Sequence, residues 1–268
     1  MGQTTIHKIN IPKSKLLAIP ESERLFFVYA GHILNEVNWF NRLILILQQT
    51  GRDVAEKLPA TLSLNDQASM DGNSTQLCIA LRLFAGKLIE ALKFLDRWGI
   101  GMPWFTELMK DMPKEGAAAF NYVSAYLKED KEKRSESILR LVRDKFAFHY
   151  DERAVKQSAD VSELVDEFVY YLTEKDGNSL YHGSELVVMS TFIGDKNSKD
   201  VIERLMDESL GLAKNLHGLF SHVLFLIAKK YIGSNLNELG LEAQFELEEM
   251  EMAELRLPFF VSLSNREA

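Results

Sequence analysis

The residues of this chain best suited to chemistry are Arg143 and His149, which have five residues between them. An arginine is always charged and can hold two oxygen atoms of a phosphate or carboxylate at once. A histidine gains and loses a proton near neutral pH, so it can act as a general acid or base. Side by side, the two would bind an anionic group and move a proton next to it. The sequence therefore makes this pair the first candidate for catalysis.

The pair belongs to a segment that predicts an amphipathic helix, from about Ser135 to about His149. Serine is a residue type that caps the N-terminus of helices. At 3.6 residues per turn, His149 falls at the end of the apolar face, and Arg143 lies about 100° from Val142, beside that face. An arginine there loses hydration unless it is paired, so Arg143 is either an ion-pair partner or a site residue.

A structural role is the alternative for both side chains. Arg143 could pair with Asp144, with Glu136 or with a carboxylate on another helix. His149 could stabilise the negative end of the helix dipole in its charged form. The chain would then be a non-catalytic helical binding or scaffold protein. A third alternative is a helical bundle that binds a small molecule in a large apolar pocket.

The surroundings of the pair resemble the motif of HEPN-domain proteins, an all-helical superfamily rich in RNA-cleaving toxins and phage-defence factors. In that motif four to six residues separate the arginine from the histidine. A polar residue follows the arginine, and a short apolar run precedes the histidine at a helix end. Asp144 and the run Phe146–Phe148 match these features. The predicted helices before and after the motif resemble the four-helix core of the superfamily over about residues 21–175.

The resemblance implies a metal-independent endoribonuclease without a cofactor, acting in phage defence or in a toxin–antitoxin system. His149 would be the general acid/base for the ribose 2′-hydroxyl, and Arg143 would stabilise the phosphorane. Asp144 would orient or pair with the arginine, and Tyr150 would stack on a base or bind phosphate. HEPN ribonucleases usually dimerise around one cleft. The implied partners are therefore RNA, a second copy of the chain, and an antitoxin or other regulatory protein.

One position departs from the superfamily. HEPN toxins that are silenced by nucleotidylation usually carry the modified tyrosine two residues after the histidine. Asp151 holds that position here, and Tyr150 directly follows the histidine. The sequence therefore does not predict regulation by this modification.

The charge of the chain limits how it could bind RNA. The formal net charge is −8, which argues against broad coating of nucleic acid because such binding needs a basic face. Between Lys128 and Lys145, however, seven residues are basic and five are acidic. This surplus allows a small basic site.

Proline positions and apolar periodicity predict the fold. The six prolines bracket the helical segments and do not interrupt them, as expected of a residue that breaks helix interiors. Long helices are predicted at about 21–49, 74–98, 116–128, 135–149, 160–176 and 198–231, with a helical turn at 104–110 and a strand or helical turn at 185–192. The predicted class is all-α: a bundle of six to seven helices with a HEPN-like four-helix core and a possible short C-terminal strand.

Three parts are predicted along the chain: an N-terminal arm at 1–20, a single helical domain at 21–240, and an acidic C-terminal tail with an apolar segment at 241–268. The tail has six glutamates from Glu242 to Glu254, which favours a solvated acidic helix followed by a strand or arm packed on the body. The alternative is a charged tail that contacts a basic partner or covers a basic site of the protein itself.

The remaining features predict a reduced, cytoplasmic protein without membrane contact or bound metal. The single cysteine, Cys78, lies in an apolar run typical of a core and has no second cysteine to pair with. The longest apolar stretches fall far short of the roughly 20 residues that a membrane span needs. His32 and Glu36 lie four residues apart on a helix, and we interpret them as a surface pair rather than as metal ligands.

Overall fold

The computed structural model of the chain describes residues 3–56, 63–128, 137–144, 168–173, 179–193, 198–248 and 255–260. Most residues in these ranges are helical, and the sheet that they contain has two antiparallel strands. The predicted all-α class with a strand near the C-terminus agrees with this architecture. The HEPN-like core stays a prediction.

The described residues form nine α-helices and two strands. The helices are α1 (Lys13–Ala18), α2 (Glu21–Glu56), α3 (Leu64–Leu95), α4 (Pro103–Leu108), α5 (Lys114–Lys128), α6 (Ile138–Val142), α7 (His182–Ile193), α8 (Ser198–Tyr231) and α9 (Leu236–Leu239). The strands are β1 (Gln3–Ile9) and β2 (Leu241–Glu248). A π-helical turn, Asp96–Ile100, follows α3, and a 3₁₀ turn, Met109–Asp111, follows α4.

Helices α2 and α3 are longer than predicted. The first helix, predicted to end at about residue 49, continues through Gly51 to Glu56. A Cβ at position 51 would come 2.9 Å from Nδ2 of Asn73, so the glycine allows α3 to approach closely. The polar segment between the predicted helices 21–49 and 74–98 is helical from Leu64 onward. Ser63 begins this helix, because its hydroxyl accepts from the amide of Asp66 and its own amide donates to the Asp66 carboxylate, at 3.2 and 3.3 Å.

Two predictions in the middle of the chain need correction. The predicted helix through Leu172 is not helical over its described residues. Instead, Tyr171 pairs with Leu180 in an antiparallel bridge. Segment 185–192, predicted as a strand or a single turn, lies inside the twelve-residue helix α7. A short apolar run fits a buried strand or a buried helix equally well, so periodicity could not decide between them.

The tail begins as a strand, not as the predicted acidic helix. β2 pairs antiparallel with β1, from Gln3 opposite Glu248 to Ile9 opposite Leu241. The strand pairing is supported by side chains: the Thr5 hydroxyl donates to Glu246 at 2.7 Å, and Lys8 pairs with Glu242 at 3.0 Å. The predicted N-terminal arm is therefore the partner that turns this acidic segment into a strand.

The chain forms two compact units. Unit 1 contains residues 1–41, 87–137 and 207–251, and unit 2 contains residues 42–86, 138–206 and 252–268. Helices α2, α3 and α8 each give one part to each unit. The single helical domain proposed for residues 21–240 stays a prediction.

The core of unit 1 is built around Phe26, which is fully buried. The ring of Phe26 stacks on Phe94 with centroids 5.1 Å apart and meets Trp104 and Phe220 edge-on at 5.2 and 5.8 Å. Aromatic contacts of this kind add about 0.5–1.5 kcal/mol each beyond the burial of apolar area. The cluster joins the beginning of α2, the end of α3 and α8 within the unit.

The core of unit 2 is mostly aliphatic. Its buried side chains include Ile44, Leu47, Cys78, Leu81, Phe84, Ile138, Leu139, Val142, Met189 and Leu205. The prediction that Cys78 is a small core residue is confirmed. Helices α6 and α7 pack against each other in this unit, which places the short helix before Arg143 in the core.

One helix in the described part of the chain has the length and composition of a membrane span. It is Val201–Tyr231, in which an 18-residue stretch has a mean hydropathy of 1.3. The core helix of a folded protein has the same properties, and Leu212, Leu216 and Val223 of α8 are fully buried within unit 1. The feature does not assign the chain to a membrane, and the cytoplasmic location stays a prediction.

Gly240 joins α9 to β2, and its replacement by alanine should destabilise the protein. Its φ is +97°, and its carbonyl accepts from the amide of Asn10 at 2.9 Å. An added Cβ would overlap the Asn10 carbonyl oxygen. We expect Gly240→Ala to lower the free energy of unfolding by about 1–2 kcal/mol or more, measured by urea unfolding.

Gly31→Ala is the matched control for this substitution. Gly31 lies inside α2, and apart from its chain neighbours and the nearby backbone of its own helix, no heavy atom of the described residues lies within 4 Å of the place that an alanine methyl group would take. Alanine should therefore raise stability there by about 0.5–1 kcal/mol. Equal effects of the two substitutions would contradict the backbone role of Gly240.

Candidate functional site

Arg143 directly follows α6 and forms a π-helical turn with Asp144. Its Nη1 donates to Oδ1 of Asp144 at 2.7 Å. The arginine side chain is 23% exposed and the aspartate side chain is 65% exposed. The Nε atom of Arg143 is buried. One end of the guanidinium therefore lies in the protein, and the other reaches a carboxylate in solvent.

The partners predicted for Arg143 are only partly described. The structure brings together Arg143 and Asp144, whereas His149 and Tyr150 lie outside the described residues. The rest of the predicted motif helix, from residue 145 onward, lies outside them as well. The placement of the Arg143 guanidinium beside the His149 imidazole therefore stays a prediction.

Sequence reasoning missed a second group of polar residues, which lies in unit 2 and which we call the Asp71–His182 cluster: Asp71, Thr75, Tyr171 and His182. The Thr75 hydroxyl lies 3.0 Å from Nδ1 of His182. Nε2 of the same ring lies 3.4 Å from Oδ1 of Asp71. The Tyr171 hydroxyl donates to Oδ2 of Asp71 at 2.9 Å. Together with burial, this aspartate raises the pKa of Tyr171 to about 12.

The cluster contains a hydroxyl, an imidazole and a carboxylate, the three groups of a nucleophilic triad. Burial argues against that function. Thr75 and His182 are only 6% and 8% exposed, so a substrate could not reach the hydroxyl. Residues 71 and 75 lie one turn apart on the same face of α3, and His182 is the first residue of α7. We interpret the cluster as a polar contact that joins the two helices.

A buried ion pair continues this contact about two turns beyond Thr75 along α3. Arg82 Nη2 lies 3.1 Å from Oε2 of Glu185, and the two side chains are 13% and 11% exposed. Burial raises the pKa of Glu185, and Arg82 offsets part of this effect. Cys78 lies in the same region, where burial and the charge of Glu185 raise its pKa to about 12. The thiol is therefore protonated at neutral pH and unsuited to nucleophilic attack.

The spacing of these residues was a usable signal. Positions 71, 75, 78 and 82 follow steps of four, three and four, which is the period of one helix face. Position 71 precedes the predicted start of this helix at about residue 74, so only part of the polar stripe lay on a predicted helix. His182 gave no signal, because it lies outside any predicted helix.

His32 and Glu36, which we interpreted as a surface pair, lie side by side on α2. His32 Nε2 lies 3.7 Å from Glu36, and Lys87 also pairs with this glutamate. Within the described ranges, no group of three or more His, Cys, Asp or Glu residues is arranged to hold a metal ion.

No protein-family model, curated protein or solved structure matches the chain. The HEPN resemblance therefore depends on the motif around Arg143 and His149 and on the predicted order of helices.

Thr75→Val tests the Asp71–His182 cluster. Valine has nearly the same shape as threonine but leaves Nδ1 of the buried His182 without its partner. We expect a loss of about 1–3 kcal/mol in the free energy of unfolding, measured by urea unfolding. Ser74→Ala is the control, because Ser74 is the exposed neighbour on α3 and should change stability by no more than about 0.5 kcal/mol. Similar effects of both substitutions would argue against a buried contact.

Glu185→Gln tests the buried ion pair through its pH dependence. The pKa of Glu185 is raised above its ordinary value of 4.5 in the folded protein. A carboxyl group whose pKa is raised by folding contributes its full stabilisation below its ordinary pKa of 4.5. This contribution is lost as the pH rises through the folded pKa. Glutamine does not titrate. We therefore expect the stability of the wild type minus that of E185Q to fall as the pH rises above 4.5 through the folded pKa. Urea unfolding at several pH values measures this difference, and a constant or rising difference would contradict the assignment.

Proposed function

We propose that this protein is a metal-independent endoribonuclease of the HEPN type. His149 would act as general acid/base, and Arg143 would stabilise the phosphorane. RNA is the proposed substrate, and two copies of the chain would form the cleft. The proposed setting is phage defence or a toxin system in the cytoplasm, with an antitoxin or other regulatory protein as a further partner.

The position of Arg143 supports this proposal most directly. Its buried Nε restricts the side chain, and its Nη1 points to a carboxylate that is 65% exposed. Because the carboxylate side of this ion pair is open to solvent, water and salt weaken the attraction between the two charges. A phosphate group that arrives from solvent can therefore take the place of Asp144, and it offers the guanidinium two oxygen atoms.

The proposed reaction needs one proton acceptor and one fixed cation. His149 takes the proton of the ribose 2′-hydroxyl, and the 2′-oxygen attacks phosphorus. The bond from phosphorus to the 5′-oxygen then breaks, and the imidazolium returns a proton to that leaving oxygen. Arg143 meets the negative charge that builds on the phosphorane oxygens. The products are a 2′,3′-cyclic phosphate and a 5′-hydroxyl.

A non-catalytic helical binding or scaffold protein is the second candidate. The ion pair between Arg143 and Asp144 favours this candidate, because a guanidinium that is mostly buried and bonded to Asp144 can have a purely structural role. In that case Arg143 would contribute to stability and not to RNA cleavage. Loss of the Arg143 side chain should therefore lower RNA cleavage if the protein is a nuclease, and lower only stability if it is a scaffold.

Arg143→Ala and His149→Ala should each lower RNA cleavage by about 100-fold or more, because each removes a group that acts in the transition state. Arg143→Lys should also lose most of the activity, since an ammonium group cannot hold two phosphate oxygens in the same way. The assay measures cleavage of a labelled RNA in the presence of EDTA, and circular dichroism checks the fold.

Arg204→Ala is the matched control, because Arg204 is exposed on α8 and the substitution removes the same charge. We expect its activity to stay within about threefold of the wild type. Full activity of both Arg143→Ala and His149→Ala would remove the proposed roles. If the wild type does not cleave RNA and Arg143→Ala only lowers stability, the scaffold candidate is the correct one.

A further inference from the structure

A cavity of about 270 Å³ lies within unit 2, away from the residues assigned to the proposed nuclease. Three parts of the unit line it: Thr50 near the end of α2, Ser69 and Asn73 on α3, and the segment Arg256–Phe260. A cavity of about 150 Å³ is enough for a benzene molecule. This one therefore has room for a single substituted aromatic ring.

The wall formed by residues 255–260 is held in place by specific contacts. A Cβ at Gly72 would come 2.7 Å from the Cβ of Phe259, so the glycine allows the segment to lie directly on α3. With its amide oriented to pair donor with acceptor, Gln76 donates to the carbonyl of Leu257 and accepts from the amide of Phe259, at 3.2 Å each. The rings of Phe260 and Tyr171 are 6.3 Å apart. The segment is therefore a built wall of the cavity.

Asn73 provides the polar feature that indicates a ligand. It is 8% exposed, and its Nδ2 donates to the carbonyl of Leu47 at 3.0 Å. Its Oδ1 is buried and finds no hydrogen-bond partner among the described residues. A buried acceptor in this state costs about 1–3 kcal/mol. An N–H or O–H group placed in the cavity would remove this cost.

The other lining residues define the remaining chemistry. Phe259, Phe260 and Pro258 offer apolar and aromatic surface, and Arg256 brings a positive charge. None of the described residues that line the cavity is acidic. Arginine prefers the planar geometry of a carboxylate or phosphate. The combination suits a ring that carries a hydrogen-bond donor and an acid group.

We propose that this cavity binds a small aromatic acid. The ligand has one ring, with a hydroxyl or ring N–H that donates to Oδ1 of Asn73 and an acid group near Arg256. The ring lies against the aromatic side chains of the C-terminal segment. This site is independent of the proposed nuclease, because its lining residues do not include Arg143 or His149.

Binding of 4-hydroxybenzoate to the full chain, followed by isothermal titration calorimetry and ligand-observed NMR, tests the proposal. We expect saturable binding, weakened about fivefold or more in Asn73→Ala and in Arg256→Gln. Benzoate lacks the donor, so its weaker binding should not change further in Asn73→Ala. Phenol lacks the acid group, so its binding should be insensitive to Arg256→Gln.

Arg42→Gln is the control, because it removes a positive charge from the same unit without lining the cavity. It should bind 4-hydroxybenzoate like the wild type. If Asn73→Ala does not fold, the comparison of benzoate with 4-hydroxybenzoate and the Arg256→Gln variant decide the question. Absence of saturable binding at about 10 mM, well above the millimolar range of weak ligands, or equal binding in all variants, overturns the proposal and leaves a cavity that holds water only.

Discussion

Unit 2 depends on one constraint: the polar side chains that α3 buries must find partners on neighbouring segments. Asn73 bonds to the backbone of α2, Thr75 contacts His182 on α7, and Arg82 pairs with Glu185 on the same helix. Gln76 meets the backbone of the segment 255–260. A buried polar group without a partner costs more than the net gain from a satisfied one. The contacts therefore specify which segments can lie beside α3 more strictly than apolar packing alone would.

The same constraint explains which elements could be predicted from the sequence. Helices α5 and α8 have regular apolar faces and clear ends, and their predicted bounds agree closely with the structure. The beginning of α3 has polar residues where an isolated helix would have apolar ones, and so it resembled a loop. β2 is a strand because it pairs with β1, which lies more than 200 residues earlier (Thr5 and Glu246 are 241 positions apart). The residue pattern within a segment gives no information about a pairing partner so far away in the chain.

The candidate site shows the same limit at the level of single residues. The motif gave Arg143 and Asp144, and the adjacent positions of these residues made their ion pair foreseeable. The Asp71–His182 cluster and the cavity beside Asn73 join residues from segments that are far apart in the chain. Their residue types were visible in the sequence, but their meeting depends on how unit 2 packs. Residue spacing can therefore nominate a local motif, whereas a site assembled from several segments becomes visible only in the folded chain.

The pairing of β1 with β2 also affects how the newly made protein folds. Thr5 and Glu246 are 241 positions apart, and ribosomes add about 5–20 residues per second. β1 therefore waits roughly 10–50 seconds after its synthesis before its partner strand exists. During that interval its backbone amides and carbonyls are open to pairing with other chains. A chaperone that binds extended nascent segments would protect this strand during translation. The two-stranded sheet closes only after β2 has left the ribosome.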